Sequence, residues 1–214
     1  MKTKLKVAPG AILYLAYFTY IFYRVLNTSM YAVEHGRVVH LLDQATELLA
    51  LCCVVIFLLY KKRYKVQEFL FLGAIMGILA LVYFRTGYQN VVTITLLFMC
   101  GYRTNFRDIV KVSLFALLFS LAFVLLSWRA GLISDLVYYH QMVDGTVRAH
   151  TYGFSYYTYP PYILLAASME WVYLRREKTS WAELAVTAGI AYVAYQVFTS
   201  RASFLMTLLF IVLY

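Results

Sequence analysis

The sequence predicts an all-α fold of about eight membrane-crossing helices with one long loop outside the bilayer. Three observations carry that expectation. Eight apolar runs follow one another with short polar breaks; 63% of the residues are hydrophobic and 14% charged, against about 25% charged in ordinary soluble domains; and the basic residues collect at alternate breaks. With a mean hydropathy of +0.71, the chain cannot present a soluble surface. Its 214 residues suit one multi-span domain, 1–214, with no room for a soluble second one.

In chain order the apolar runs are about 9–26, 41–60, 68–84, 87–102, 109–128, 160–174, 182–199 and 203–214. A helix needs roughly 20 residues to cross a core of about 30 Å. Helices are the only choice for such runs, because backbone in lipid must satisfy its own hydrogen bonds. The first run follows Lys2, Lys4 and Lys6 like a secretory signal, but it is rich in Tyr and Phe and lacks a small-x-small cleavage site, so it reads as an uncleaved span. The sixth is short and can extend upward into the loop, with Pro160 and Pro161 opening its first turn. The last stops after Tyr214, about 18 Å into a helix. A carboxylate at that depth is costly, so the expectation is a piece of a longer protein. Cys52, Cys53 and Cys100 fall inside apolar runs and read as core or lipid-facing residues without metal spacing.

With the N-terminus cytoplasmic, thirteen basic residues fall inside: Lys2, Lys4, Lys6, Lys61, Lys62, Arg63, Lys65, Arg103, Arg107, Lys111, Arg175, Arg176 and Lys178. Six fall outside: Arg24, Arg37, Arg85, Arg129, Arg148 and Arg201. The formal charge of +9 is therefore a topology signal, and no nucleic-acid partner is expected. The types also split. All eight lysines are inside, and every outside cation is an arginine. Arginine is a planar fork that grips carboxylate or phosphate bidentately. The outer set reads either as an anion-binding face or as side chains snorkelling to headgroups.

The interval from Trp128 to Pro161 is the longest that cannot be a span. It forms the long external loop, about 128–160. Residues 128–147 read as a lid or approach segment, and Gly153 beyond it lets the backbone turn or approach a ligand. Tyr138, Tyr139, Tyr152, Tyr156, Tyr157, Tyr159 and Tyr162 crowd it more densely than an aromatic belt requires. Rings with an apolar face and a polar tip suit stacking on sugars. His140 and His150 have no metal-ligand spacing, but beside Arg148 and Asp144 one of them could serve as a general base. In the spans, Asp43 and Glu47 share a helical face, set either to orient an arginine or a sugar hydroxyl or to pair with Arg37 or His40. Glu170 reads as reaching the cytoplasmic surface or pairing with Arg175, and has no assigned role.

The segment Arg148-Ala149-His150-Thr151-Tyr152-Gly153-Phe154, followed by tyrosines and by Pro160-Pro161 at the head of a span, resembles the external loop of Wzy-type polysaccharide polymerases. These are relatives of the O-antigen ligases, and the chain looks like a Gram-positive capsule or exopolysaccharide member. Phe198-Thr199-Ser200-Arg201-Ala202-Ser203-Phe204-Leu205 is similar to the family's Thr-x-Ser-Arg signature at the outer end of a helix. The resemblance covers roughly residues 100–214. It implies inverting, metal-independent glycosyl transfer, without a cofactor, on the outer face of the cytoplasmic membrane. The substrate would be an undecaprenyl-diphosphate-linked oligosaccharide drawn from the lipid bilayer, with a chain-length regulator and a flippase as pathway partners. The family's functional arginines map onto Arg148 and Arg201. Many Gram-positive relatives follow Gly-Phe with a His-Pro-Asn run, whereas here Ser155-Tyr156-Tyr157-Thr158 follows, so the resemblance assigns no base.

The chemistry needed is consistent with these residues. Charge developing on a lipid diphosphate leaving group needs preorganised donors, for which Arg148 and Arg201 stand first and Arg85, Arg129 and Arg37 support. The attacking hydroxyl needs a base; His150 stands first, with His140 and Asp144 behind it. Tyr152, Tyr156, Tyr157 and Tyr159 would face the sugar. The rivals are a ligase-like transferase of the same superfamily and a lipid-linked sugar transporter. A transporter should gather polar residues at mid-span in repeated halves, and neither pattern is present.

Overall fold

The computed structural model describes residues 9–60, 66–87, 89–101, 104–142, 145–175 and 179–213. Among them are nine helices and one two-stranded sheet: α1 (Pro9–Asn27), α2 (Tyr31–Glu34), α3 (Gly36–Tyr60), α4 (Val66–Thr86), α5 (Gln89–Gly101), α6 (Phe106–Arg129), β1 (Val137–Met142), β2 (Gly145–His150), α7 (Tyr159–Arg175), α8 (Trp181–Phe198) and α9 (Arg201–Leu213). Each apolar run becomes a helix at nearly its expected bounds. Two elements were not expected: the single turn α2, and the antiparallel β1–β2 hairpin inside the external loop. The fold is helical throughout except for that hairpin.

The helix ends have local causes. The Asn105 side chain accepts the Arg107 N–H at the start of α6, and Ser180 with Glu183 forms a capping box on α8. Both satisfy donors that a helix start leaves orphaned. Thr199 ends α8 in the left-handed region, at φ 55°. Tyr159 opens α7 immediately before Pro160 and Pro161, as proline's fixed φ favours.

Short connections alternate the helices up and down. α1 packs on α3, α5 and α6; α6 packs on α7; α7 packs on α8 and α9; α4 packs on α5. Along the α1–α6 seam, Phe18 and Phe22 meet Phe115, Phe119 and Phe123, with centroids 5.5–5.9 Å apart. The four-residue spacing puts each set on one face of its helix. An inner cluster of Leu13, Tyr17, Ala50, Leu97 and Ile109 fills the bundle. A second cluster, with Tyr23, Leu26, Val39, Val124, Ile133 and Phe154, closes the end where the long loop sits.

Two helical stretches, Gly36–Ile56 and Phe106–Arg129, are long and apolar enough to cross a membrane; Gly73–Arg85, Val91–Gly101 and Arg201–Leu213 are shorter apolar helices. Eight crossings were expected. α5 and α9 have 13 residues each, about 20 Å of helix, which falls short of a core about 30 Å thick. Many large apolar side chains nevertheless point outward, among them Leu81, Phe98, Phe115, Leu126, Val193 and Leu205. Surface of that kind marks a membrane or protein interface.

Candidate functional site

The hairpin register pairs Val137 with His150 and Tyr139 with Arg148. Alternation along a strand then puts Arg148 and His150 on the same face of β2. Extending the pairing by two residues brings Asp135 beside the chain that leaves His150. One carboxylate ties this corner together. Asp135 Oδ2 accepts from His150 Nδ1 at 2.6 Å, while Oδ1 accepts from the Tyr152 N–H at 2.7 Å, the Thr151 N–H at 3.0 Å and the Thr151 hydroxyl at 3.1 Å. Burial works against ionisation of Asp135, but the hydrogen bonds from His150, Tyr152 and Thr151 together outweigh it and hold the carboxyl below its ordinary value. With Nδ1 hydrogen-bonded to the carboxylate, Nε2 is the ring nitrogen left to meet another partner. The side chain of His150 is 46% exposed, so a substrate can reach that nitrogen.

Arg148 lies over the Tyr139 ring, 5.7 Å from its centroid. The stack orients the guanidinium without occupying its forked N–H groups. Arg148 and His150 are both exposed while Ala149 between them is buried. The face is open on one side and backed by protein on the other.

The turn after His150 is fixed to the bundle. Met30 N–H donates to Gly153 O at 2.8 Å, and the Ser155 N–H and hydroxyl donate to Thr28 O at 3.0 and 2.9 Å. Phe154 is wholly buried. Gly153 has φ +87°, and a Cβ there would lie 2.8 Å from Ile133 Cδ1 and 2.9 Å from Trp128 Cβ. Its glycine serves close packing against the end of α6, where the sequence left open a turn or an approach to ligand. Glu34 on α2 takes hydrogen bonds from the Ser134 N–H, at 3.0 Å, and from the Ser134 hydroxyl. The loop is therefore held at both of its ends.

No family model, no curated protein and no solved structure matches this chain. The site is accordingly argued from its own geometry.

Several expected residues fall together. Tyr138 donates to Ser155 O at 2.9 Å, and its ring meets Tyr156 edge-on at 5.1 Å. Tyr156 packs against Tyr157 at 4.6 Å and Tyr159 at 6.3 Å. Burial, with the hydrogen bond and charge of Tyr156, pushes the Tyr157 phenol up to about 12, so it stays protonated under working conditions. Tyr156 and Tyr159 are each 37% exposed and offer ring surface beside the hairpin. Tyr152 is different: its ring is enclosed by Trp128 at 5.0 Å, Phe198 at 5.3 Å and His150 at 5.7 Å. It is half-buried in this packing, so less of its ring is open to a sugar than at Tyr156 and Tyr159. Through Phe198 it also ties the hairpin to the α8–α9 corner, where Arg201 opens α9.

Other expected residues are not brought together. Arg129 follows Trp128 at the end of α6 and borders the site, and Arg37 opens α3 beside His35, whose ring meets Leu132 O at 3.4 Å. Arg85 is in the last turn of α4, the helix that packs on α5. His140 pairs with Val147 at the strand parity opposite to Arg148 and His150, and its side chain, like all of Asp144, lies outside the described residues. Asp43 and Glu47 make no ion pair with Arg37 or His40 among the described residues; His40 instead meets Gln44 at 3.3 Å. Glu170 accepts from the Ser113 hydroxyl at 2.5 Å, while Arg175 pairs with Glu183 at 2.9 Å, so the expected Glu170–Arg175 pair is replaced.

The residue that sequence reasoning missed is Asp135. It stands in the 128–147 segment, read as a lid or approach, and was not among the residues expected to carry chemistry. A signal was present, because Asp144-Gly145 between β-prone stretches is a hairpin signature. A hairpin turning there places residues near 135 against residues near 151. Among the described residues no cluster of three or more His, Cys, Asp or Glu side chains is placed to hold a metal ion.

Proposed function

We propose that this chain is a membrane-embedded polysaccharide polymerase that joins undecaprenyl-diphosphate-linked oligosaccharide repeat units on the outer face of the cytoplasmic membrane. The helices from α1 to α9, α2 excepted, cross or line the bilayer and hold the hairpin at its outer surface. One observation carries the reading: an imidazole oriented by a carboxylate at 2.6 Å, two residues along one strand face from an arginine stacked on an exposed tyrosine.

The chemistry follows from that arrangement. The acceptor sugar hydroxyl loses its proton to His150 Nε2 as its oxygen bonds to the anomeric carbon of the donor. The bond from that carbon to the lipid diphosphate breaks, and its electron pair leaves on the diphosphate oxygen. Asp135 stabilises the imidazolium that forms, as an acidic partner does in a catalytic triad. Arg148, with Arg201 from the α8–α9 corner, stabilises the charge developing on the leaving group. Tyr156, Tyr157 and Tyr159 provide ring faces for the sugars. The leaving lipid stays in the bilayer, which explains a site set on apolar helices.

The test uses cells in which the chromosomal copy has been deleted. His150→Gln, Asp135→Asn, Arg148→Lys and Arg201→Lys should each reduce chain lengthening by about 10²-fold or more, at unchanged protein level in the membrane. Long polymer persisting in both His150→Gln and Arg148→Lys would overturn the reading.

A further inference from the structure

Tyr152 has a backbone and a side chain that are both unusual for a loop tyrosine. Its φ of 51° lies in the left-handed region, which strains a residue with a Cβ and persists only where the surroundings impose it. Two contacts impose it here. The Tyr152 N–H donates to Asp135 Oδ1 at 2.7 Å, and the ring is wedged among Trp128, His150 and Phe198. These three partners come from three places: the last turn of α6, the end of β2 and the last residue of α8. Phe198 leads through left-handed Thr199 directly into Arg201.

From this geometry we infer that Tyr152 is the positioning residue that couples the His150 imidazole to the α8–α9 corner bearing Arg201. The inference rests on the proposed roles of His150 and Arg201, but the coupling itself is a structural claim. Asp135 fixes the imidazole through Nδ1, and the Tyr152 ring supports it from the side. That same ring meets Phe198 near edge-on, at an interplanar angle of 80°, so a shift of α8 moves the ring, and the ring moves the imidazole. β2 also lies against α8, and among the described residues the Tyr152 ring is what joins the His150 imidazole to Phe198. The hydroxyl of Tyr152 takes no part in these contacts. The ring is the functional group, which separates this role from sugar binding through a phenol.

The experiment places spin labels on the exposed positions Val137 and Ala202 of the full chain in lipid nanodiscs. Distances are read for the parent, Tyr152→Phe and Tyr152→Leu, beside chain-lengthening kinetics with a purified undecaprenyl-diphosphate-linked repeat unit. Phenylalanine should keep a narrow distance distribution and most of the turnover. Leucine should broaden the distribution and lower kcat about tenfold or more, with KM for the lipid-linked donor within about twofold. A distribution as narrow in Tyr152→Leu as in the parent would overturn the coupling, and so would loss of turnover in Tyr152→Phe equal to that in Tyr152→Leu. If the parent forms no polymer, the polymerase reading fails alone, and the distances still decide the coupling.

Discussion

Gly153 is fixed by two constraints that act on the same atom. Its φ of +87° is open to glycine and strained for any L side chain, and the missing Cβ would sit 2.9 Å from Trp128 Cβ, an atom anchored to the α6 backbone. Ile133 Cδ1, at 2.8 Å, is the end of a flexible side chain and can yield; Trp128 Cβ cannot. Gly153→Ala should therefore weaken loop docking by about 1–3 kcal/mol. The change is readable as faster proteolytic cleavage between residues 130 and 158 in detergent-solubilised protein. Cleavage at the parent rate would mean that the turn is not held against α6. Sequence alone identified Gly153 as a position of special backbone geometry. It could not say what lay opposite, because Trp128 and Ile133 are more than nineteen positions away.

At the scale of elements, legibility divided along the range of the interactions. Helix positions were readable because hydropathy runs, caps and the proline pair are local signals, and every run became a helix. The hairpin was less legible. Val137–Met142 has no clean alternation, and its stability comes from register with β2 and from docking on Thr28, Ser29 and Met30, none of which local pattern encodes. Asp135 went unread although Asp144-Gly145 marks a hairpin, since it is the register of that hairpin that brings it to His150. The acid sensitivity of this element follows from Asp135. Its folded carboxyl lies below the ordinary value of 3.8, so the stabilisation is fully present above that value and is lost as pH falls through the lower folded value. Glu34 is also held low, by its hydrogen bonds from the Ser134 side chain and N–H, and titrates in the same direction. Protease sensitivity of the loop should thus rise only below the ordinary carboxyl range. Asp135→Asn and Glu34→Gln should each remove a share of that transition; an unchanged acid transition in the double variant would refute this account.

Across the whole molecule, the up-and-down path gives the bundle two chemically different ends. One carries the α1–α3 connection, the end of α4, the long loop and the α8–α9 corner, and its cations are all arginines: Arg24, Arg37, Arg85, Arg129, Arg148 and Arg201. The other carries, among the described residues, Arg107, Lys111 and Arg175. The expected cytoplasmic cations Lys2, Lys4, Lys6, Lys61, Lys62, Arg63, Lys65, Arg103, Arg176 and Lys178 lie outside the described residues. Translocation discriminates against cations near span ends, and the proposed topology accordingly keeps the second end cytoplasmic. In that proposal the hairpin end faces outward, where a lipid-linked oligosaccharide would meet Arg148 and His150. In a background with Cys52, Cys53 and Cys100 replaced by serine, Leu132→Cys at the loop end and Trp181→Cys at the start of α8 report the two ends. Leu132 and Trp181 are 61% and 85% exposed, so both variants offer a reachable thiol. A membrane-impermeant maleimide added to intact cells should label Leu132→Cys and leave Trp181→Cys unlabelled until the membrane is permeabilised. The opposite pattern would put the Asp135–His150 pair in the cytoplasm, and polymerisation on the outer face could not then be its chemistry.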